Sequence, residues 1–180
     1  MMKLMDRRNA ELAEQVGLLR NRERKTERLK ADKALSLTKD IEGAVAECAV
    51  ALATGLEWYA FEKDRQGVNV HGDVGPLEIK SVTQPWHKLI IHYCVDIYAP
   101  YVLVVVQQAS KGWYTQVVGW CFGFETFHNS SCWDTALPVP AYSRKRDRLY
   151  STHSLSSWLM QSGHFCKPVR KPKFAQGFAL

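Results

Sequence analysis

The stretch His71-Gly-Asp-Val-Gly-Pro-Leu-Glu-Ile-Lys80 decides how the chain reads. Gly75-Pro76 lies between two β-like runs and suits a two-residue hairpin loop, because a type II′ turn wants glycine first and accepts proline second. Such a loop fixes the register: Val74 opposes Leu77, Asp73 opposes Glu78, Gly72 opposes Ile79 and His71 opposes Lys80. Side chains alternate along a strand, so His71, Asp73, Glu78 and Lys80 are expected on one face, with Leu77 and Ile79 on the other. Directly opposed residues stand about 4.5 to 5.5 Å apart at Cβ, a separation at which carboxylates repel. A hard divalent cation between them reverses the sign, and Mg²⁺ takes one or two carboxylates while retaining water. Lys80 would then orient or deprotonate water, or stabilise charge on a phosphate oxygen. An exposed polar hairpin, in which Lys80 neutralises its neighbours, is the alternative.

Upstream, Thr38 can cap a helix over about Lys39 to Thr54, with Asp40 and Glu42 near its positive end and Gly55 as its stop. Ile41, Val45, Cys48 and Leu52 form one stripe, and Ala44, Ala51 and Ala53 extend it until little of the helix wants water. Glu47 is the one charge between Gly43 and Leu56. A carboxylate on such a helix is costly to bury without a cation, a metal, a strong donor or a proton. Before this helix, residues 1–36 are rich in Glu, Arg, Lys, Leu and Ala, with Leu12, Val16 and Leu19 at helical spacing. The heptad pattern fails at Glu23 and Thr26, so this arm reads as a solvated charged helix, with a homodimer through it as the alternative.

Downstream, Leu77 to Val82, Lys88 to Ile91, Tyr101 to Val106 and Thr115 to Phe122 read as strands, as does Val68 to Gly72 before the turn. Tyr101-Val-Leu-Val-Val-Val106 does not alternate, as suits a central strand covered on both faces. A short helix is expected near Leu155 to Met160. One helix followed by strands gives an α/β (α+β) class.

Charge is uneven along the chain: +4 over residues 1–40, −5 over 41–140 and +7 over 141–180, for +6 in all. Basic ends around an acidic middle suit a protein that collects cations at one site and a polyanion around it. The five cysteines include no CxxC pair and read as reduced thiols. No apolar run approaches the roughly 18 to 20 residues of a membrane span. Met1 to Arg8 has no apolar core of a signal peptide, so a soluble, cytoplasmic protein is expected.

An acid on a helix, then Asp, then Glu-x-Lys on the next strand resembles the PD-(D/E)XK nuclease superfamily. Glu47 matches the helix carboxylate, Asp73 the motif Asp, and Glu78-Ile79-Lys80 the (D/E)xK element. The wider run, through Tyr101-Val-Leu-Val and Val117-Val-Gly-Trp120, is similar to small nuclease-like proteins found mainly in phages. The resemblance covers about Lys39 to Glu125. Gly72 replaces the usual Pro before Asp73, and the distance to Glu78 is short.

The resemblance implies a restriction-endonuclease-like mixed sheet flanked by helices over residues 37–128, with the arm before it and a basic extension over 129–180. It implies a Mg²⁺- or Mn²⁺-dependent nuclease acting on DNA. Glu47, Asp73 and Glu78 would hold the metal and Lys80 would assist the attacking water. Arg144, Lys145, Arg146, Arg148, Lys167, Arg170, Lys171 and Lys173 would hold the DNA backbone. His71 and Gln84 are lesser site candidates, and Trp86, His87, His92 and Tyr93 either line a substrate groove or pack a strand. Asp96 is expected to make turn hydrogen bonds, and Trp113, Tyr114 and Trp120 to sit in the core or on a strand face. A non-catalytic nucleic-acid-binding protein or an oligomeric adaptor on the same fold is the rival.

Overall fold

Every residue from Tyr101 to Val106 is fully buried, as a strand covered on both faces requires. The computed structural model describes residues 1–24, 33–60, 72–91, 96–127, 133–134 and 141–164. In chain order these form β1 (Lys3–Leu4), α1 (Arg7–Arg24), α2 (Lys33–Thr54), β2 (Glu78–Val82), β3 (Leu89–Ile91), β4 (Pro100–Ala109), β5 (Gly112–Phe122) and α3 (Gly123–Phe127). There follow β6 (Trp133–Asp134), β7 (Ala141–Arg144), a 3₁₀ turn at Arg146–Arg148 and α4 (Thr152–Gln161). The expected strand Val68 to Gly72 falls almost wholly outside the described residues, as do His71, His92 and Tyr93.

The chain is a mixed α/β protein whose main sheet has the order β1-β5-β4-β2. β2 runs parallel to β4, whereas β5 is antiparallel to both β4 and β1. A parallel neighbour needs a crossover, and residues 83–99 supply it, leaving β3 to join β7 and β6 in a second, antiparallel sheet. Three layers result. Val102, Val104 and Val106 of β4 face the helices α1, α2 and α4, together with Ile79 of β2. Tyr101 and Leu103 face the other way, onto Leu89 and Ile91 of β3. Among the described residues, no helix is long and apolar enough to cross a membrane.

α1 differs from the solvated arm expected of it. Ala10, Ala13 and Val16 are buried, and a Cβ on Gly17 would stand 2.5 Å from Ile41 Cα, so the two helices touch where glycine lets backbones approach. Asp6 starts the helix by accepting from the Arg8 amide at 3.0 Å. α2 begins at Lys33, which leaves Thr38 inside the helix instead of capping it. Nothing between Lys33 and Lys39 breaks a helix, so propensity carries it back beyond the Thr38 signal. Its end matches expectation, with the Gly55 amide donating to the Ala51 carbonyl at 2.8 Å. Leu52 is exposed, so the buried surface of α2 is Ala44, Val45, Ala46, Cys48, Val50 and Ala51.

Candidate active site

The Gly75-Pro76 turn forms, and Val74 opposes Leu77 with amide-to-carbonyl bonds of 3.1 and 2.9 Å. The expected ladder goes no further. The Asp73 amide also donates to the Leu77 carbonyl, at 2.7 Å, so Asp73 does not step up to face Glu78. Gly72, at φ +134°, folds the chain back over the turn, where a Cβ would lie 2.7 Å from three backbone atoms of residues 75–77. Residues 73–75 pair instead with 57–59: the Tyr59 amide donates to the Asp73 carbonyl and the Gly75 amide to that of Glu57.

The same departure brings the Asp73 carboxylate to β2 by another route. Asp73 Oδ2 accepts the Ile79 amide at 2.8 Å. Among the described residues β2 is the last strand of its sheet, and this carboxylate covers a donor on its edge. Glu78 and Lys80 flank Ile79 and point away from the helical core that Ile79 enters. Lys80 Nζ lies 3.8 Å from Glu78 Oε2 and 5.7 Å from the centre of the Tyr101 ring. Tyr101 donates its hydroxyl to the Asp96 carbonyl at 2.8 Å. Burial pushes this phenol well above its ordinary pKa, and the charges of Glu78, Asp96 and Asp73 add to the effect. Asp73, Glu78 and Lys80 thus share one end of the sheet edge, in a negative field.

Glu47 is 6% exposed, and both its oxygens are engaged by protein groups. Arg20 Nη1 and Nη2 donate to Oε1 and Oε2 at 2.8 and 2.6 Å, and Trp58 Nε1 donates to Oε2 at 2.7 Å. Arg20 Nε also reaches the Ala60 carbonyl at 2.6 Å, so one guanidinium joins α1, α2 and the segment after α2. Burial strips water from Arg20, but the hydrogen bonds and charge of Glu47 outweigh this and hold its pKa above the ordinary value. Burial pushes the Glu47 carboxyl up, and the charge of Asp73 acts in the same direction against Arg20 and Trp58. Glu47 therefore meets the need seen in its sequence, a cation and a strong donor, within the protein itself.

The remaining candidates divide. Gln84 lies beyond the end of β2, where its carbonyl closes a turn, so it does not continue the Lys80 face. Asp96 makes the expected turn bond, accepting from the Tyr98 amide at 2.8 Å. Trp113 and Trp120 are buried. Arg144 Nε donates to the Arg148 carbonyl at 2.9 Å and its Nη1 lies 3.9 Å from Glu125, while Arg146 donates to the Pro85 carbonyl. Lys145 and Arg148 are exposed. Lys167, Arg170, Lys171 and Lys173 lie outside the described residues.

Arg20, Trp58 and Tyr101 belong to this site and were not singled out from sequence. A signal for Arg20 existed: with Ala13 and Val16 it shares one face of α1, as a lone cation on a buried stripe, the counterpart of Glu47 on α2. Among the described residues, no group of three or more His, Cys, Asp or Glu side chains stands together as a metal set. Compared with family models, curated proteins and solved structures, the chain finds no match in any of the three. The PD-(D/E)XK resemblance rests on the sequence motif alone.

Proposed function

We propose that the chain is a metal-dependent nuclease that hydrolyses DNA phosphodiester bonds at the β2 edge. The observation that carries this reading is the hydrogen bond from the Ile79 amide to Asp73, which holds one carboxylate on the edge of β2 at the residue that lies between Glu78 and Lys80 in sequence. Oxygen donors of this kind suit Mg²⁺ or Mn²⁺, and a Mg²⁺ site uses one or two carboxylates with water and phosphate oxygens completing the shell. Asp73 and Glu78 would hold the ion, while Glu47, whose two oxygens are taken by Arg20 and Trp58, would anchor α2 to α1. When bound, such an ion supplies positive charge against a phosphate and acidifies water. Lys80 has its own part: the Tyr101 ring and Glu78 hold its ammonium, which can donate to a phosphate oxygen as negative charge builds there.

A second reading, a nucleic-acid binder that does not cleave, draws support from the ion pairs Arg20–Glu47 and Lys80–Glu78, which leave the local charges already matched. One experiment separates the two. Linear, circular, branched and single-stranded DNA are incubated with the protein with and without Mg²⁺ or Mn²⁺. Metal-dependent cutting that disappears in Asp73→Asn supports the nuclease. Binding with no cutting in either metal supports the second reading.

A further inference from the structure

Gln84-Pro85-Trp86-His87 is a tight turn, closed by the His87 amide donating to the Gln84 carbonyl at 3.2 Å. Proline at its second position presets φ, and Trp86 follows at the third with 71% of its surface exposed. The turn is tied down from both sides. Arg146 donates to the Pro85 carbonyl, and Gln107 Nε2 donates to the Thr83 carbonyl at 3.1 Å. The indole meets the His87 ring edge-on, at 6.2 Å between centroids. Cations gather beside it. Leu89 of β3 pairs with Arg144 of β7, so Lys88 and Lys145 follow at the same end, both exposed, and the 3₁₀ turn adds Arg146 and Arg148 with a single acid, Asp147.

An isolated exposed aromatic is ordinary on a protein surface. Trp86 differs because an arginine of the basic segment binds its turn, which joins the aromatic's loop to that segment. Cations alone would serve any nucleic-acid backbone. An open indole face adds a demand that duplex DNA does not meet, since paired bases are already stacked and offer only their edges in the grooves. We propose that Trp86, with Lys88, Lys145, Arg146 and Arg148, is a stacking platform for a single-stranded nucleic-acid segment. Trp86 takes the face of an unpaired base and the cations take the phosphates on either side. Trp86 follows Lys80 by six positions, a span of at most about 22 Å, so a strand held here passes close to the β2 edge. The proposal rests on the nucleic-acid half of the proposed function and not on hydrolysis.

The test measures binding of the full chain to labelled oligo(dT) and to a blunt duplex of equal length, in EDTA and at fixed salt. Trp86→Ala should weaken oligo(dT) binding by about 10-fold or more. Duplex affinity should stay within about twofold, since phosphate contacts alone serve the duplex. Trp86→Phe should restore most of the oligo(dT) affinity, and an unchanged melting temperature should accompany both variants. An equal loss on both probes, no loss on either, or a wild type that ignores oligo(dT) and binds only a protein partner overturns the platform. A Trp86-dependent oligo(dT) complex in a protein that cuts no DNA would sink hydrolysis alone, and cutting with no Trp86 effect on binding would sink the platform alone.

Discussion

Arg20 grips both carboxylate oxygens of Glu47, at 2.8 and 2.6 Å, and so pins α1 to α2 through their buried faces. Removing one partner of such a pair leaves an uncompensated charge, so Glu47→Gln or Arg20→Met should lower the unfolding free energy by about 3 to 5 kcal/mol. Replacing both, as Arg20→Met with Glu47→Gln, should cost much less than the sum, because neither charge is then stranded. Urea unfolding of the four proteins measures this coupling. Additive losses would show that the two side chains act separately. A Glu47→Gln protein of wild-type stability that no longer responds to Mg²⁺ would make Glu47 a metal ligand.

Asp73→Asn keeps an oxygen that can accept the Ile79 amide, so the fold should persist with a loss of about 1 kcal/mol as a charged acceptor becomes neutral. Mg²⁺ or Mn²⁺ should raise the wild-type melting temperature by binding the folded state preferentially, and the variant should lose most of that rise. An equal rise in both proteins would move the metal away from Asp73. Glu78→Gln should lose the rise and cleavage together.

What could be read in the sequence depended on how local each interaction is. The buried run of β4, the Gly55 stop and the Gly75-Pro76 turn each follow from residues within a few positions of one another, and each forms as expected. The expected Asp73–Glu78 pairing does not form, because the Asp73 amide stays on the Leu77 carbonyl and its carboxylate takes the Ile79 amide, a choice that alternation along a strand does not reveal. Glu47 is the intermediate case. Its burial cost was legible from its own helix, but its partner lies 27 residues away on a helix whose charges looked solvated. Pairing the two needed the helix packing that Gly17 permits against Ile41.

Cys48 tests the helix interface chemically. Burial, reinforced by the Glu47 charge, pushes its thiol from 9.0 up to about 12. A raised pKa stabilises the fold fully below the unfolded value, and that contribution fades as pH climbs from about 9 towards 12. At pH 8 the native thiol should therefore resist iodoacetamide, since the thiolate is the nucleophile. Peptide mapping after labelling should find Cys48 modified only once denaturant is added. Rapid native labelling at Cys48 would mean that α1 leaves α2 readily in solution.

Lys80 separates chemistry from ion holding. Its ammonium sits 3.8 Å from Glu78 and over the Tyr101 ring, while Asp73 holds the edge of the same strand. Lys80→Met keeps most of the apolar stem, so folding should survive. Removing a cation beside Glu78 should leave the Mg²⁺-dependent rise in melting temperature intact or enlarge it. Cleavage should still fall by about 10²-fold or more, as expected when a group that donates to developing phosphate charge is lost. Lys80→Arg should recover little, because a planar fork does not fit the place of a point charge between a carboxylate and a ring face. If purified Lys80→Met cuts DNA at the wild-type rate in saturating Mg²⁺, the Glu78–Lys80 pair is a solvated ion pair on a strand edge, and any nuclease chemistry of this chain lies elsewhere.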